Sequence, residues 1–418
     1  KRGAEGKIEA IGKKADRNKP ITRRAGISIK LSALHPRYHE TDRVRALEEM
    51  SPRLLELAQL AKQYDISLTV DAEESERLML SLDIIKKVFT DASLEGWHGF
   101  GLAVQSYQKR AFYVLDWLAD LAKAQGRRIM VRLIKGAYWD SEIKKTQMQG
   151  LKDYPVFTRK VYTDVSFQAC AKKLLTLTEY LYPQFATHNA YSVAMILQIV
   201  GDYRDFEFQC LHGMGTHLYN QIVDPQQWGV PCRIYAPVGQ HEDLLPYLVR
   251  RLLENGANSS FVNRIVDEKA PIASLVEDPV AKAEILLTQP NRHIPPPADI
   301  FLPERLNSRG LDLTDRQVIA DLQARYAEET LCQWQAKPIL AADTSFSEKA
   351  RTVYAPQNQQ KRIGTVIEAG ETEIDTALSA AQQAFTDWSQ MPVAERADCV
   401  ERFAKLLEAH REELYAIA

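Results

Sequence analysis

Between Ala25 and Gly239, short apolar runs alternate with longer amphipathic ones, the pattern of parallel strands joined by helices. Seven runs read as strands: GISIKLSAL from Gly26, SLTVDAE from Ser67, FGLAVQSY from Phe100, RRIMVRLIKG from Arg127, QFATHNA from Gln184, FEFQCLHG from Phe206 and CRIYAPVG from Cys232. Helices are expected over Arg43 to Tyr64, Ser75 to Phe89, Lys109 to Gln125, Tyr191 to Val200 and Glu242 to Glu254, and the connections are long enough for right-handed crossovers. Nearly every strand run finishes in polar residues: Lys30, Asp71 with Glu73, Gln105, Arg132 with Lys135, His188 with Asn189, His212, and Tyr235. An open sheet gathers its ligand at one switch point, whereas a barrel builds its site from many strand ends. The pattern therefore favours an α/β fold, a (β/α)₈ barrel short of one strand. At any single position, an ordinary polar loop residue would look the same.

After Asp267 the alternation stops, and the proline-rich stretch QPNRHIPPPADIFLPE, 289–304, suits neither helix nor central strand and reads as a linker. Beyond it a helix is expected over Thr314 to Glu329, an extended piece around Gly364 to Ile367, and a long amphipathic stretch from Glu371 to Ala418. This looks like the start of a second domain.

Composition narrows the function classes. Among 418 residues, 53 basic against 55 acidic side chains leave no bulk positive field to advertise a nucleic-acid partner. Five cysteines, Cys170, Cys210, Cys232, Cys332 and Cys399, are widely spaced without a CxxC pair, so neither a disulfide framework nor a zinc site is indicated, and a reducing cytoplasm fits. No apolar run approaches the roughly 18 residues of a spanning helix, and Lys1 to Lys14 lacks the apolar core of a signal peptide. A first residue Lys1 and an end within a helical pattern at Ala418 suggest a chain cut from a longer one on both sides.

RLIKGAYWD, Arg132 to Asp140, ends a buried-looking strand with two cations, a glycine and two aromatics. Gly136 lets a ligand approach the backbone, Arg132 and Lys135 supply donors for a phosphate or a reduced isoalloxazine anion, and Tyr138 and Trp139 could cover a planar ring. A solvated lysine beside core aromatics would give the same string. Gln105 and the THN sequence Thr187 to Asn189 offer neutral hydrogen-bonding groups at other strand ends, although His188 by itself is more often a satisfied structural histidine. PVFTRK, Pro155 to Lys160, could open a helix whose free N–H groups, with Thr158 and Lys160, hold an anion. His188, His212 and His217 lack the carboxylates that would accompany a metal site, and no metal is expected. In HEDLLPYLVRRLLENGAN, Tyr247, Arg250, Arg251 and Glu254 line one helix face, and two adjacent arginines can clamp a carboxylate. A solvated charged stripe remains the plain alternative.

Five motifs in order, RLIKGAYWD, FATHN, CLHGMG, RIYAPVG and YLVRRLLENGAN, make residues of about 20 to 267 closely resemble the proline dehydrogenase domain of the proline utilization A flavoenzymes. That family folds as a distorted (β/α)₈ TIM barrel, binds FAD, oxidises L-proline to Δ¹-pyrroline-5-carboxylate by hydride transfer and passes electrons to a membrane quinone. By this resemblance Arg132 lies near the reactive flavin nitrogen. Gln105 and the loop Lys135, Gly136, Ala137, Tyr138 and Trp139 hold the isoalloxazine, Thr158, Lys160, Thr187, His188 and Asn189 contact the rest of FAD, and Gln209 and Leu211 line the same pocket. Lys30, Arg250 and Arg251 bind the proline carboxylate, Asp71 orders the cations, Tyr138 and Tyr235 enclose the ring, and Glu254 anchors an arginine. The resemblance further implies a homo-oligomer and a cytoplasmic protein peripheral at the inner face of the membrane.

Two departures from the family pattern stand out. Family members carry a further strand with a D-M-L-G-E type motif before the AIGK-like sequence, here Ala10 to Lys13, so the first barrel strand is expected to be missing, and no DNA-binding ribbon precedes it. Residues of about 345 to 418, containing RTVYAPQNQQKRIG and TALSAAQQAF, resemble the beginning of an aldehyde dehydrogenase domain, which in the bifunctional family oxidises glutamate semialdehyde with NAD. The expected division is 1–19 as the end of a preceding helix or arm, 20–267 as the barrel, 268–344 as linker and connecting helices, and 345–418 as the start of the second domain. Two rival readings remain: a barrel enzyme using Lys135 as a Schiff-base nucleophile, and a non-catalytic scaffold.

Overall fold

A computed structural model describes residues 2–240, 276–287, 291–329, 334–341 and 349–418, together with 242, 244–245, 247–249, 289 and 346. The chain divides into two compact units, Lys1–Thr314 and Asp315–Ala418. In the first, seven parallel strands lie in sequential order: β1 (Gly26–Ile29), β2 (Ser67–Val70), β3 (Phe100–Gln105), β4 (Ile129–Ile134), β5 (Leu181–Ala186), β6 (Glu207–Leu211) and β7 (Cys232–Tyr235). All seven strands expected from the sequence are present, and they curl into an incomplete barrel. Helices follow the strands: α2 (Arg43–Gln63), α3 (Leu78–Phe89), α4 (Ala111–Ala124), α5 (Trp139–Met148), α6 (Lys160–Thr176), α7 (Ala190–Val200) and α8 (Thr216–Val223), with α1 (Arg2–Lys14) leading in.

Register divides each strand into an apolar and a polar set, because successive side chains point to opposite faces. Leu68 and Val70, Leu102 and Val104, Val131 and Leu133, and Phe185 and Phe208 share one face, and all are buried. This face meets the helices; Leu54, Leu57, Ala58 and Ala61 of α2, with Leu115 and Leu118 of α4, belong to the same continuous core. The other face carries Ser28 paired with Thr69, Ala103 with Arg132, Arg132 with Gln184, Gln184 with Glu207, Gln209 with Arg233 and Leu211 with Tyr235. Barrel interiors are usually filled by branched apolar layers. Here the interior is lined largely by hydrogen-bonding groups, which have to satisfy one another.

At the amino-terminal end of the strands, Glu207 accepts from Arg233 Nε at 2.7 Å and Nη2 at 3.0 Å, from Gln184 at 2.9 Å and from Gln209 at 2.8 Å. Arg233 also donates to the carbonyls of Thr22, at 2.8 Å, and Arg24, while Arg23 donates to the carbonyl of Phe206 at 3.3 Å. The chain entering β1 is thereby braced against β6 and β7, the far side of the curl. Burial lowers the Arg233 guanidinium's affinity for its proton, but Glu207 outweighs this, and its pKa is raised.

The proline-rich stretch and the residues after it are part of the first unit and pack on its body: Tyr154 Oη donates to Pro295 O at 2.8 Å, and Asn307 Nδ2 to Gln147 O at 2.9 Å. In the second unit, the extended piece expected near Gly364 is one strand, Asn358–Val366, of a three-stranded sheet with Trp334–Ala336 and Arg351–Ala355. Helices Glu371–Gln390, Val393–Ala409 and Arg411–Ile417 follow it. Among the described residues, no helix is long and apolar enough to cross a membrane.

Candidate functional site

The carboxyl ends of β1, β2, β4 and β7 bring Lys30, Asp71, Arg132, Tyr138 and Tyr235 to one mouth. Asp71 follows Val70 at the end of β2, and its backbone N–H donates to Ile29 O at 2.8 Å, so β1 fixes where the carboxylate stands. Asp71 Oδ1 accepts from Arg132 Nη1 and from Ser28 Oγ, both at 2.6 Å, and Oδ2 accepts from Tyr235 Oη at 3.0 Å. Arg132 Nη2 donates to Ser28 Oγ at 2.7 Å, and the guanidinium lies over the Tyr235 ring, 5.1 Å from its centroid. Burial first, then the Asp71 charge, push the Tyr235 phenol well above its ordinary range, so it stays a donor. Arg132 is 9% exposed, and its Nε is buried without a hydrogen-bond partner.

Across the mouth, Lys30 Nζ donates to Tyr138 Oη at 2.7 Å and lies 5.4 Å from the ring centroid. The loop that carries Tyr138 is tied to β3: Gln105 donates to Glu73 O at 2.8 Å and accepts from Ala137 N at 3.3 Å. Gly136 has φ of 143°, and a Cβ there would stand 2.5 Å from the Tyr107 ring. The group that approaches this glycine is thus an aromatic side chain of the protein. Trp139 Nε1 donates to Phe157 O at 2.8 Å, which joins the loop to the segment before α6. Lys135 Nζ is engaged by Asp164 of α6 and sits 5.7 Å from the Phe167 ring centroid.

The remaining candidates fall on the ends of β5 and β6 and at the start of α6. His188 Nε2 accepts from Leu211 N at 3.1 Å, so Nε2 is the ring nitrogen without hydrogen whenever the imidazole is neutral. Thr187 Oγ1 accepts from Asn189 N at 3.1 Å, and Asn189 Oδ1 caps α7 through Ser192 N at 3.2 Å. Thr158 O accepts from Asn291 Nδ2 at 3.2 Å, and the side chain of Arg159, just before α6 begins at Lys160, makes no capping hydrogen bond. Gln209 Nε2 donates to Glu207 at 2.8 Å. Arg250, Arg251 and Glu254 lie outside the described residues.

Ser28, Asp164, Glu207 and Arg233 were not among the sequence candidates, although each orders one that was or a neighbouring layer. The available signal was a polar residue at alternate positions of an otherwise apolar strand, as in GISI and EFQCL. A cavity of about 600 Å³ lies elsewhere, lined by Tyr38, Ser75, Arg110, Glu142, Lys145 and Asp312 among others. None of the mouth cluster lines it, and three of its cations are already ion-paired, Lys145 with Glu76, Lys109 with Asp153 and Arg77 with Glu73. The mouth, with a buried unpaired donor and converging polar strand ends, is the stronger candidate.

The mouth also suits a flavin. A buried cationic donor in Arg132, a loop of backbone and aromatic groups from Lys135 to Trp139, and a helix start at Lys160 are the donor set that a ring system and a diphosphate require.

Comparison with known proteins agrees with this architecture. A proline dehydrogenase family profile matches residues 2–264, and an aldehyde dehydrogenase family profile matches 343–418. The chain is 49% identical over 422 residues to the bifunctional protein PutA of Klebsiella aerogenes, covering 98% of this chain and 32% of that protein. It is 29% identical over 207 residues to proline dehydrogenase 1 of Bacillus subtilis (strain 168), covering 49% of this chain and 59% of that one. Thus the chain spans about a third of the PutA relatives it matches. A crystal structure of the D779Y mutant of Bradyrhizobium japonicum proline utilization A superposes with a TM-score of 0.83 at 44% identity, over 98% of this chain and 38% of that one. The Bdellovibrio bacteriovorus protein inactivated by N-propargylglycine superposes at 0.84 and 25% identity, over 99% and 43%.

Proposed function

The chain belongs to the proline dehydrogenase family and continues into the start of an aldehyde dehydrogenase domain, and from this premise we propose that its barrel mouth binds FAD and L-proline and oxidises the amino acid to Δ¹-pyrroline-5-carboxylate. The observation that carries this reading is the fixed Arg132 guanidinium: two of its nitrogens are held by Asp71 and Ser28, and the third is buried without a partner. When bound, FAD would accept the two electrons of the oxidation and release them to a membrane quinone. Gln105, Lys135, Gly136, Ala137 and Trp139 would hold the flavin ring with Arg132, and Thr158, Lys160, Thr187, His188, Asn189, Gln209 and Leu211 would hold or line its remaining parts.

The substrate carboxylate would be bound by Lys30 with Arg250 and Arg251, and Glu254 would anchor one of these arginines. Lys30 is already oriented by Tyr138, so one cation is placed before proline arrives. Tyr138 and Tyr235 would enclose the pyrrolidine ring and exclude water. Such a site works by positioning: the carboxylate contacts select one orientation of the ring, and the cofactor supplies the electronics. In the parent protein the second domain would oxidise glutamate semialdehyde with NAD, and the whole would be a cytoplasmic homo-oligomer.

The visible absorbance of the purified protein, before and after L-proline is added without oxygen, tests the reading. A flavin spectrum that bleaches is expected. A folded, colourless protein, or a flavin spectrum indifferent to proline, would overturn it.

A further inference from the structure

Ser28 sits at the junction of the mouth cluster. Its single hydroxyl proton goes to Asp71 Oδ1 at 2.6 Å, and its oxygen accepts from Arg132 Nη2 at 2.7 Å. The carbonyl of Thr69, at 3.4 Å, is too distant to compete for that proton. Directions are therefore fixed: an N–H from the guanidinium enters the oxygen, and the O–H leaves toward the carboxylate. Asp71 Oδ1 separately accepts from Arg132 Nη1 at 2.6 Å, so serine, aspartate and arginine close a three-membered ring of hydrogen bonds.

That ring determines how the arginine is held. A single contact between Arg132 Nη1 and Asp71 would leave the guanidinium free to turn about that bond. The second contact, through Ser28, fixes the plane, and the Tyr235 ring covers one face of it. With Nη1 and Nη2 both engaged, Nε remains as the buried donor without a partner. Ser28 can do this because it lies two residues before Lys30 on the inner face of β1, level with Thr69, from which Asp71 is two residues further along the same face.

We propose that Ser28 is a positioning residue for the flavin: through Asp71 and Arg132 it fixes the plane of the guanidinium that the bound ring would meet. The proposal rests on the reading of the mouth as an FAD site. A hydroxyl is required, and bulk is not. Alanine should lose the effect, while threonine, which keeps the hydroxyl and is at home in a strand, should retain it.

The test compares flavin-loaded wild-type protein with Ser28→Ala and Ser28→Thr. Three quantities are read: the midpoint potential of the bound flavin, its rate of reduction by L-proline at saturating and limiting concentrations, and the melting temperature. In Ser28→Ala we expect a more negative potential, because the cation stabilises reduced flavin less well when it is misaimed. We also expect about a tenfold slower reduction at saturating proline, with little change in the concentration giving half the maximal rate. Ser28→Thr should return both toward wild type. An unchanged potential and rate in Ser28→Ala would overturn the proposal, as would a loss of melting temperature with no shift in potential, which marks a purely structural serine. Should Ser28→Ala fail to fold, Ser28→Cys, a near isostere with a weak donor, takes its place under the same criteria. Wild-type protein that binds no flavin would fail the FAD reading itself, and Ser28's role with it; a failure confined to the variants would leave that reading intact.

Discussion

Arg132 and Asp71 meet at 2.6 Å although their strands are not neighbours: β3 runs between them and contributes only Ala103 at the level of Arg132. A small side chain on the intervening strand leaves a gap that a long one on the next strand can cross. The resulting pair is mostly shielded, with side chains 11% and 12% exposed.

Asp71→Ala removes the acceptor for Arg132, Ser28 and Tyr235 together, leaving a shielded cation without its counter-charge. We expect a loss of about 2 to 3 kcal/mol in urea unfolding, at the lower end for a broken ion pair because some solvent reaches it. Proline turnover should fall with it. A stability within 0.5 kcal/mol of wild type, roughly the scatter for surface changes, would show that the cluster contributes little.

Gly136→Ala should be more harmful than its size suggests. It forces a side chain into φ of 143° and drives a Cβ to 2.5 Å from the Tyr107 ring. About 1 to 3 kcal/mol should be lost, and the loop carrying Tyr138 should shift. Thermal melting and the KM for proline report the two effects separately.

Arg233→Met leaves the Glu207 carboxylate buried with only amide partners and should cost about 3 to 5 kcal/mol. Adding Glu207→Leu removes the stranded charge, so the double variant should recover much of the loss. A double-mutant cycle by urea unfolding measures the coupling directly. Additive single costs would mean that the pair is not coupled.

Alkaline stability should be poor. Burial is the leading cause of the raised phenol pKa at Tyr38, Tyr107, Tyr182, Tyr219 and Tyr235. A folded value above the unfolded one, about 10, means that the stabilisation is complete below pH 10 and is lost as pH rises toward the folded values. Each such tyrosine removes up to about 1.4 kcal/mol per pH unit over that range. The melting temperature should therefore hold between pH 8 and 9.5 and drop steeply above 10. A flat profile to pH 11 would show that these phenols ionise normally.

The strands were legible because each pairs a continuous apolar face with polar residues at its end, as in FGLAVQ and IMVRLI. Helices α5 and α8 were not among those expected, and of α6 only the opening at Pro155 to Lys160 was. In α6 the buried positions Thr163, Phe167, Cys170, Ala171 and Leu174 keep helical spacing, but a threonine and a cysteine stand among them while Val161, Val165 and Leu175 fall elsewhere, so the apolar stripe is blurred. The second unit's sheet was half hidden for the opposite reason: NQQKRIGTV is polar along most of its length because it is largely exposed. At the site, Lys30, Asp71, Arg132, Tyr138 and Tyr235 could be named as strand-end residues. Ser28 and Asp164 could not, since a partner is defined only by what folding places beside it.

The Arg233 brace has a wider consequence. It fastens the entry to β1 against β6 and β7 at the end of the strands opposite the mouth, using only groups of the protein itself. If the mouth is the active site, rigidity and chemistry are supplied by separate ends of the same seven strands. Substrate preference could be retuned by replacing mouth residues while the anchoring end keeps the curl in place, and the anchoring end could be strengthened for heat resistance without disturbing what the mouth selects.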